Sequence, residues 1–224
     1  MNKLNILYED NHIIVVEKPY NIPTQEDSSK DMDMINIIKQ YLKKAYNKPG
    51  NVYLGLVHRL DRPVGGLMVF AKTSKAANRL SDQVRNNKFH KTYLAVVHGK
   101  TKRKEKLVDY ISKDEKTFSS YIDNENGKES ILEYETLYYD EKEDISLIKV
   151  NLITGRHHQI RLQMSNINHS LIGDQRYGIQ DKKQIMLFAY KIEFIHPITK
   201  EVMSFKLLPE WNIIKEVTLW KIYI

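Results

Sequence analysis

Two segments hold most of the residues that could do chemistry. "HRLDRPVGGL", residues 58–67, sets one carboxylate, Asp61, between Arg59 and Arg62 and then bends the chain. Pro63 fixes its own φ, and Gly65 and Gly66 permit backbone paths closed to other residues, so this segment is expected to form a rigid corner that aims a side chain. A carboxylate held there could serve as a nucleophile or a base. It could equally cap a turn and pair with Arg62 at the surface. The second segment, "LITGRHHQIRLQMSNINHSLIGDQRYG", residues 152–178, carries Arg156, Arg161 and Arg176 with His157, His158 and His169. Three histidines raise the question of a metal. Yet His157 and His158 are adjacent and would leave a helix in different directions, and neither HExxH nor a carboxylate at ligand spacing accompanies them. Capping, packing or hydrogen bonds to phosphate and ribose suit them better, and no metal is expected.

Charge suggests what such groups would meet. The formal net charge is +7, and residues 85–106 hold eight Lys or Arg against the single acid Glu105. Residues 107–147 reverse the balance, with twelve acids against Lys113, Lys116, Lys128 and Lys142. A concentrated basic segment is the footprint of a protein that meets phosphate, although it also serves as a solvated surface. Cysteine is absent, which excludes disulfides, thiol catalysis and thiolate zinc. No apolar run reaches the length of a bilayer span, and Met1 to Lys18 lacks the order of a signal peptide, so a cytoplasmic chain is expected.

The elements that must position these residues follow from periodicity and punctuation. "ILYEDNHIIVVEKP" predicts two strands joined at Asp10-Asn11. From Asp31 to Tyr46, Ile35, Ile38, Leu42 and Ala45 recur at helical spacing until Pro49-Gly50. "GLMVFAKT" predicts a strand, followed by a helix capped by Ser74 with Ala77, Leu80 and Val84 on one face. "KTYLAVVHG" predicts another strand, and residues 107–152 a meander of antiparallel strands. Thr154 is expected to cap a helix near Arg156 to Asn168. "IMLFAYKIEFIHP" and "EVMSFKLL" add two strands, and Pro209 opens a last helix. With neither strand-helix alternation nor an internal repeat, the chain is assigned to the α+β class.

At this point separated segments resemble one family together. "HRLDRPVGGLMVFAKT", "KTYLAVVHG" and "TGRHHQIRLQMSNINHSLIGDQRYG" are similar, in order and separation, to the signature segments of the RluA-type pseudouridine synthases. "DNHIIVVEKP" resembles that family's first hairpin, so the likeness runs from about Ile6 to Leu208. The resemblance implies an α+β pseudouridine synthase fold, a long curved, mostly antiparallel sheet flanked by helices with a central cleft. It implies one catalytic domain over residues 1–224, without the N-terminal RNA-binding module of many relatives. The implied activity is isomerisation of uridine to pseudouridine in ribosomal or transfer RNA, with no cofactor, by a monomer that needs neither membrane nor DNA.

By matching motif positions, the resemblance makes Asp61 the catalytic aspartate, Tyr93 the ring that stacks on the target base and Arg161 the basic partner of the aspartate. Arg59 matches an arginine that displaces the target nucleotide. Arg62, Lys72, Arg156 and His158 are expected at the RNA, and Lys75, Arg79, Arg85, Lys88 and Lys91 along its backbone. A carboxylate in a base pocket would lose its charge to burial, and a nearby guanidinium favours the ionised form.

Three positions depart from the family pattern. Val64-Gly65-Gly66 stands where Thr-Ser-Gly is usual, which is expected to loosen the turn. Gln163 replaces a common histidine, and Asn168-His169-Ser170 replaces Gly-His-Pro. Two rival readings remain open on the sequence: an RNA-binding protein that has lost its chemistry, and a metal-dependent hydrolase using the histidines.

Overall fold

The computed structural model describes residues 4–219. The chain forms two compact units, the first running to His90 and including Lys191–Leu207, the second comprising Lys91–Tyr190 and the residues from Leu208 on.

In the first unit, β1 (Ile6–Glu9) and β2 (Ile13–Lys18) pair antiparallel. Asp10 makes the connection, because one carboxylate oxygen accepts the N–H groups of His12 and Ile13, both at 2.7 Å. Helix α1 (Met34–Ala45) is capped by Asp33, which accepts the Asn36 N–H at 3.0 Å. Its buried residues are Met34, Ile38 and Leu42, while Ala45, expected on that face, is exposed. Strand β3 (Gly55–Leu56) pairs with β4 (Gly65–Ala71), and β4 also runs antiparallel to β2 with Ile13 opposite Ala71 and Lys18 opposite Gly66. Every residue of β4 is buried, which is why it reads as an unbroken apolar run.

Helix α2 (Ser74–Arg85) starts one residue earlier than Ser74 would set it. Thr73 keeps an extended backbone and its hydroxyl accepts the Ala76 N–H at 3.2 Å. Ala76 and Leu80 pack with Ile13, Val15, Leu67, Val69, Phe89 and Phe194 into this unit's core, against which Ala77 and Val84 are partly buried.

In the second unit, β5 (His90–His98), β6 (Lys104–Asp114), β7 (Ser119–Ile122), β8 (Lys128–Asp140) and β9 (Ile145–Leu152) assemble in the order β5-β9-β8-β6-β7, each pair antiparallel. The order is not the simple meander expected, because β6 takes both β7 and β8 as partners. Helix α3 (Gln159–Asn166) begins three residues later than expected. His158 stands before it at φ 53°, a left-handed conformation that the helix cannot continue through. Thr154 does not cap it either, since its hydroxyl accepts the Ile131 N–H at 2.7 Å and donates to Gln159 Oε1 at 2.9 Å.

The chain returns to the first unit within β10 (Leu187–Ile195), whose end pairs with β11 (Val202–Lys206) from Lys191 opposite Lys206 to Ile195 opposite Val202. Helix α4 (Asn212–Leu219) closes the second unit, with Ile213, Ile214 and Val217 against Leu94, Val96, Leu147 and Tyr190. These elements give an α+β fold with mostly antiparallel sheet. Among the described residues no helix is long and apolar enough to cross a membrane.

The charge polarity of the sequence is partly cancelled by pairing across strands. Lys104 of β6 meets Glu135 of β8 at 3.2 Å, and within the basic segment itself Lys102 meets Glu105 at 2.5 Å. Exposed pairs of this kind contribute little stability, but they reduce the charge left for a distant partner.

Candidate active site

Asp61 lies half-buried in the loop between β3 and β4. Its carbonyl accepts the Val64 N–H at 3.0 Å, closing a turn over Arg62 and Pro63. Groups far along the chain then hold this turn. The Thr24 hydroxyl donates to the Leu60 carbonyl at 2.8 Å. His58 Nε2 accepts the Val69 N–H at 3.2 Å, and the His58 ring packs 5.1 Å from that of Phe89. Lys18, with no exposed surface, sends its ammonium to the carbonyls of Pro19 at 3.0 Å, Arg62 at 3.0 Å and Val64 at 2.6 Å. An ammonium has three N–H donors, and here each finds an acceptor.

At Val64, which stands where the family pattern has a hydroxyl residue, the backbone N–H and C=O are both bonded and the side chain is 2% exposed. Gly66 has φ 122°, a conformation that strains any residue with a Cβ, and it turns the chain into β4 opposite Lys18.

Burial pulls the Lys18 pKa from 10.5 down to about 7, with the Asp61 charge raising it and Arg62 lowering it. Between those two values the unfolded chain keeps a proton that the folded chain has released, so stability rises with pH, by at most ~1.4 kcal/mol per unit. Denaturant titrations from about pH 7 to pH 9 are expected to show that rise in the parent and a flatter line in Lys18→Met. Equal slopes would assign the effect to another group.

The arginines flanking Asp61 go different ways. Arg62 does not pair with Asp61 at the surface as the simplest reading supposes; it takes Asp27 at 3.4 Å and Asp31, and donates to the Asn21 carbonyl at 3.3 Å. Any phosphate at Arg62 competes with two carboxylates. Arg59 is exposed and makes no hydrogen bond or ion pair among the described residues. Lys72, expected at the RNA, is engaged within the chain. Its ammonium binds Glu9 at 2.6 Å and the Asp10 carbonyl at 2.5 Å, with its side chain 7% exposed, which ties the end of β4 to β1.

The second unit holds Tyr93 and Arg161. Tyr93 is buried in β5 opposite Val150. Arg161, in the first turn of α3, is buried and meets Asp174 edge-on, Nε to Oδ2 at 2.8 Å and Nη2 to Oδ1 at 2.7 Å. The side chains of this pair are 6% and 0% exposed. Burial works to raise the Asp174 pKa, but the Arg161 hydrogen bonds and charge, with the N–H groups of Arg176 and Tyr177, hold it below the ordinary aspartate value. At neutral pH Arg161 therefore faces an ionised partner, and its guanidinium also lies 5.3 Å from the centre of the Tyr177 ring.

Tyr177 ties the rest of this site together. Its hydroxyl accepts the Ser120 N–H at 2.6 Å and lies 2.9 Å from His158 Nδ1. The rings of His157 and His158 stack 3.7 Å apart, and the Ser120 hydroxyl donates to the His157 carbonyl at 2.8 Å. The histidines thus fix the loop leading into α3, and among the described residues no set of three or more metal-ligating side chains converges. Arg156, in the same loop, is exposed and donates from Nε to the Glu129 carbonyl at 3.1 Å. Gln163, fully buried, donates to Asp109 at 2.7 Å and to the Ser130 carbonyl at 3.1 Å, which explains a polar residue there in structural terms.

Lys18 and Asp174 are the site-positioning groups that reading by motif passes over. Both stand inside quoted motifs, in "VVEKP" and "GDQRYG", but their partners lie 46 and 13 residues away. A lysine among apolar strand residues and an aspartate after a glycine were the available signals.

Comparison with known proteins adds the following. Residues 12–166 match the RNA pseudouridylate synthase family. An "Uncharacterized RNA pseudouridine synthase" of Aquifex aeolicus is 33% identical over 97% of this chain and 72% of its own length. "Ribosomal large subunit pseudouridine synthase C" of Buchnera aphidicola subsp. Baizongia pistaciae is 33% identical over 88% of this chain and 64% of its own. Among solved structures, "Human RNA Pseudouridylate Synthase Domain Containing 1" superposes with a TM-score of 0.76 at 21% identity, covering 92% of this chain and 84% of that one, a likeness of fold.

Proposed function

The chain belongs to the RNA pseudouridylate synthase family, and on that premise we propose that Asp61, Tyr93 and Arg161 carry the isomerisation of a uridine in structured RNA. The reaction breaks the N1–C1′ bond, turns the uracil, joins C5 to C1′ and exchanges the proton on C5 for one on N1, so no redox partner or leaving group is required. Asp61 acts as nucleophile or base. Asp174 binds Nε and Nη2 of Arg161, and Arg161 is assigned the role of basic partner to Asp61. Tyr93 supplies the face on which the uracil turns, and stacking of this kind contributes roughly 1–3 kcal/mol per base. Extruding the uridine costs a few kcal/mol. Arg59 is assigned to that displacement, and Arg62, Arg156 and His158 to the RNA around it.

One observation supports this reading above the others. The carboxylate of the first motif stands in a turn held by Lys18, Thr24 and its own backbone, a degree of preorganisation that a surface turn does not need and a catalytic group does.

The name of the Buchnera relative places that protein's work in the large ribosomal subunit, which makes ribosomal RNA, ahead of transfer RNA, the first substrate to test in the cytoplasm. Pseudouridine mapped across total RNA from cells with and without the gene is expected to differ at one or a few uridines. Identical maps, or RNA cut rather than isomerised by the purified protein, would overturn the proposal. Affinity for that RNA is expected to fall with salt by about 0.7–0.9 log units per tenfold change for each phosphate engaged. A flat dependence would remove the backbone contacts from the account.

A further inference from the structure

Among the described residues, Lys18, Lys72 and Lys91 have ammonium groups drawn back from water, and the first two have acceptors. Lys18 has three carbonyls, and Lys72 has Glu9. Lys91, half-buried at the start of β5, has none: among the described residues no group accepts a hydrogen bond from it or pairs with it. Burial lowers its pKa, and no neighbouring carboxylate contributes to that shift. Its position is nevertheless defined. The ammonium reaches the loop that leads into α3, where a Cβ built on Gly155 would come within 3.0 Å of it. Withdrawing a cation from water without giving it an acceptor costs the folded protein stability. A residue kept at that cost is one whose acceptor comes from outside the chain.

Strand geometry indicates what the acceptor is. Residues two apart on a strand share a face and are about 7 Å apart, so Lys91 and Tyr93 point the same way from β5. That spacing is similar to the reach from a nucleobase to the phosphate of its own nucleotide. We propose that Lys91 holds a backbone phosphate beside the extruded uridine, and through it sets where the base lies against Tyr93, while Gly155 leaves the room that the ammonium and the phosphate need. The inference rests on the assignment of Tyr93 to the base made above, and adds a positioning residue to it.

The test uses the full chain with substitutions Lys91→Met, Lys91→Arg and Gly155→Ala. Binding is measured against salt with a labelled uridine-containing hairpin, and single-turnover rates with RNA from cells lacking the gene. Lys91→Met is expected to weaken binding about tenfold or more and to reduce the salt slope by about one. It is also expected to slow turnover and to melt at the parent's temperature or above it, because it removes an ammonium that has no acceptor in the protein. Lys91→Arg is expected to recover the slope and only part of the rate, since the larger guanidinium meets the same loop. Gly155→Ala keeps every charge, so its slope is expected to match the parent while its rate falls.

Two results would overturn the inference. One is a Lys91→Met protein with the parent's slope and rate. The other is a Lys91→Met protein that loses stability yet keeps its activity per folded molecule, which would make Lys91 structural. Failure of the underlying reading looks different: the parent itself would form no pseudouridine, or Asp61→Ala would form as much as the parent.

Discussion

Asp61→Asn is expected to leave a folded protein that binds RNA and forms essentially no pseudouridine, with turnover reduced on the order of 10⁴–10⁶-fold, the range seen when a reacting group is removed from an assembled site. The substitution is close to isosteric, and four bonds that hold the turn run to backbone carbonyls. Val64 donates to the Asp61 backbone carbonyl, Thr24 to that of Leu60, and Lys18 to those of Arg62 and Val64. Folding should therefore survive. The charge on Asp61 also raises the pKa of Lys18, so removing it drives Lys18 further toward the neutral amine at pH 7. Losing that favourable charge interaction costs the folded protein a little, so the variant is expected to melt slightly below the parent near neutral pH. Mass spectrometry of RNA incubated with each protein measures the loss, and denaturant titration the stability. A variant that modifies RNA at the parent's rate would remove Asp61 from the chemistry and with it the proposed mechanism.

That expectation shows which parts of the site could be read from the amino-acid sequence. The position of Asp61 in a corner follows from Pro63, Gly65 and Gly66 and their neighbours, and the flanking strands from apolar runs, because these are local rules. The tethers of the corner are not local. Lys18 reaches Val64 across 46 residues and Thr24 reaches Leu60 across 36, and nothing in residue type says that a lysine will be buried to bind carbonyls. The same limit explains the misplaced start of α3. Thr154 has the chemistry of a cap, but Ile131 and Gln159 claim its hydroxyl, and His158 takes a left-handed turn that spacing does not encode. The partner of Lys72 was hidden for a related reason. The charge of Lys72 was legible and its partner was not, since Glu9 lies 63 residues earlier and meets it only when β1, β2 and the end of β4 have assembled.

Asp174→Ala is expected to cost about 3–5 kcal/mol of stability, because it strands the buried charge of Arg161 without its partner. It should also lower turnover, because Arg161 loses the two bonds that orient it. Asp174 does more than pair with Arg161, since its Oδ1 also accepts the N–H groups of Arg176 at 2.9 Å and Tyr177 at 3.1 Å. Losing these loosens the segment whose Tyr177 hydroxyl holds Ser120 and His158. Asp174→Asn separates the two contributions, for its amide oxygen can still accept those backbone bonds while the charge is gone. It is expected to fall between the parent and Asp174→Ala in melting temperature and to resemble Asp174→Ala in turnover. The sign of the pH dependence follows from the lowered pKa of Asp174. The ion pair stabilises the fold fully above the unfolded carboxylate value and loses that contribution as pH falls through the lower folded one. The gap in stability between the parent and Asp174→Asn is therefore expected to be widest near neutral pH and to close below about pH 4. A gap that stays constant down to acid pH would mean that Asp174 acts through shape alone, and that the Arg161 charge is balanced by another group.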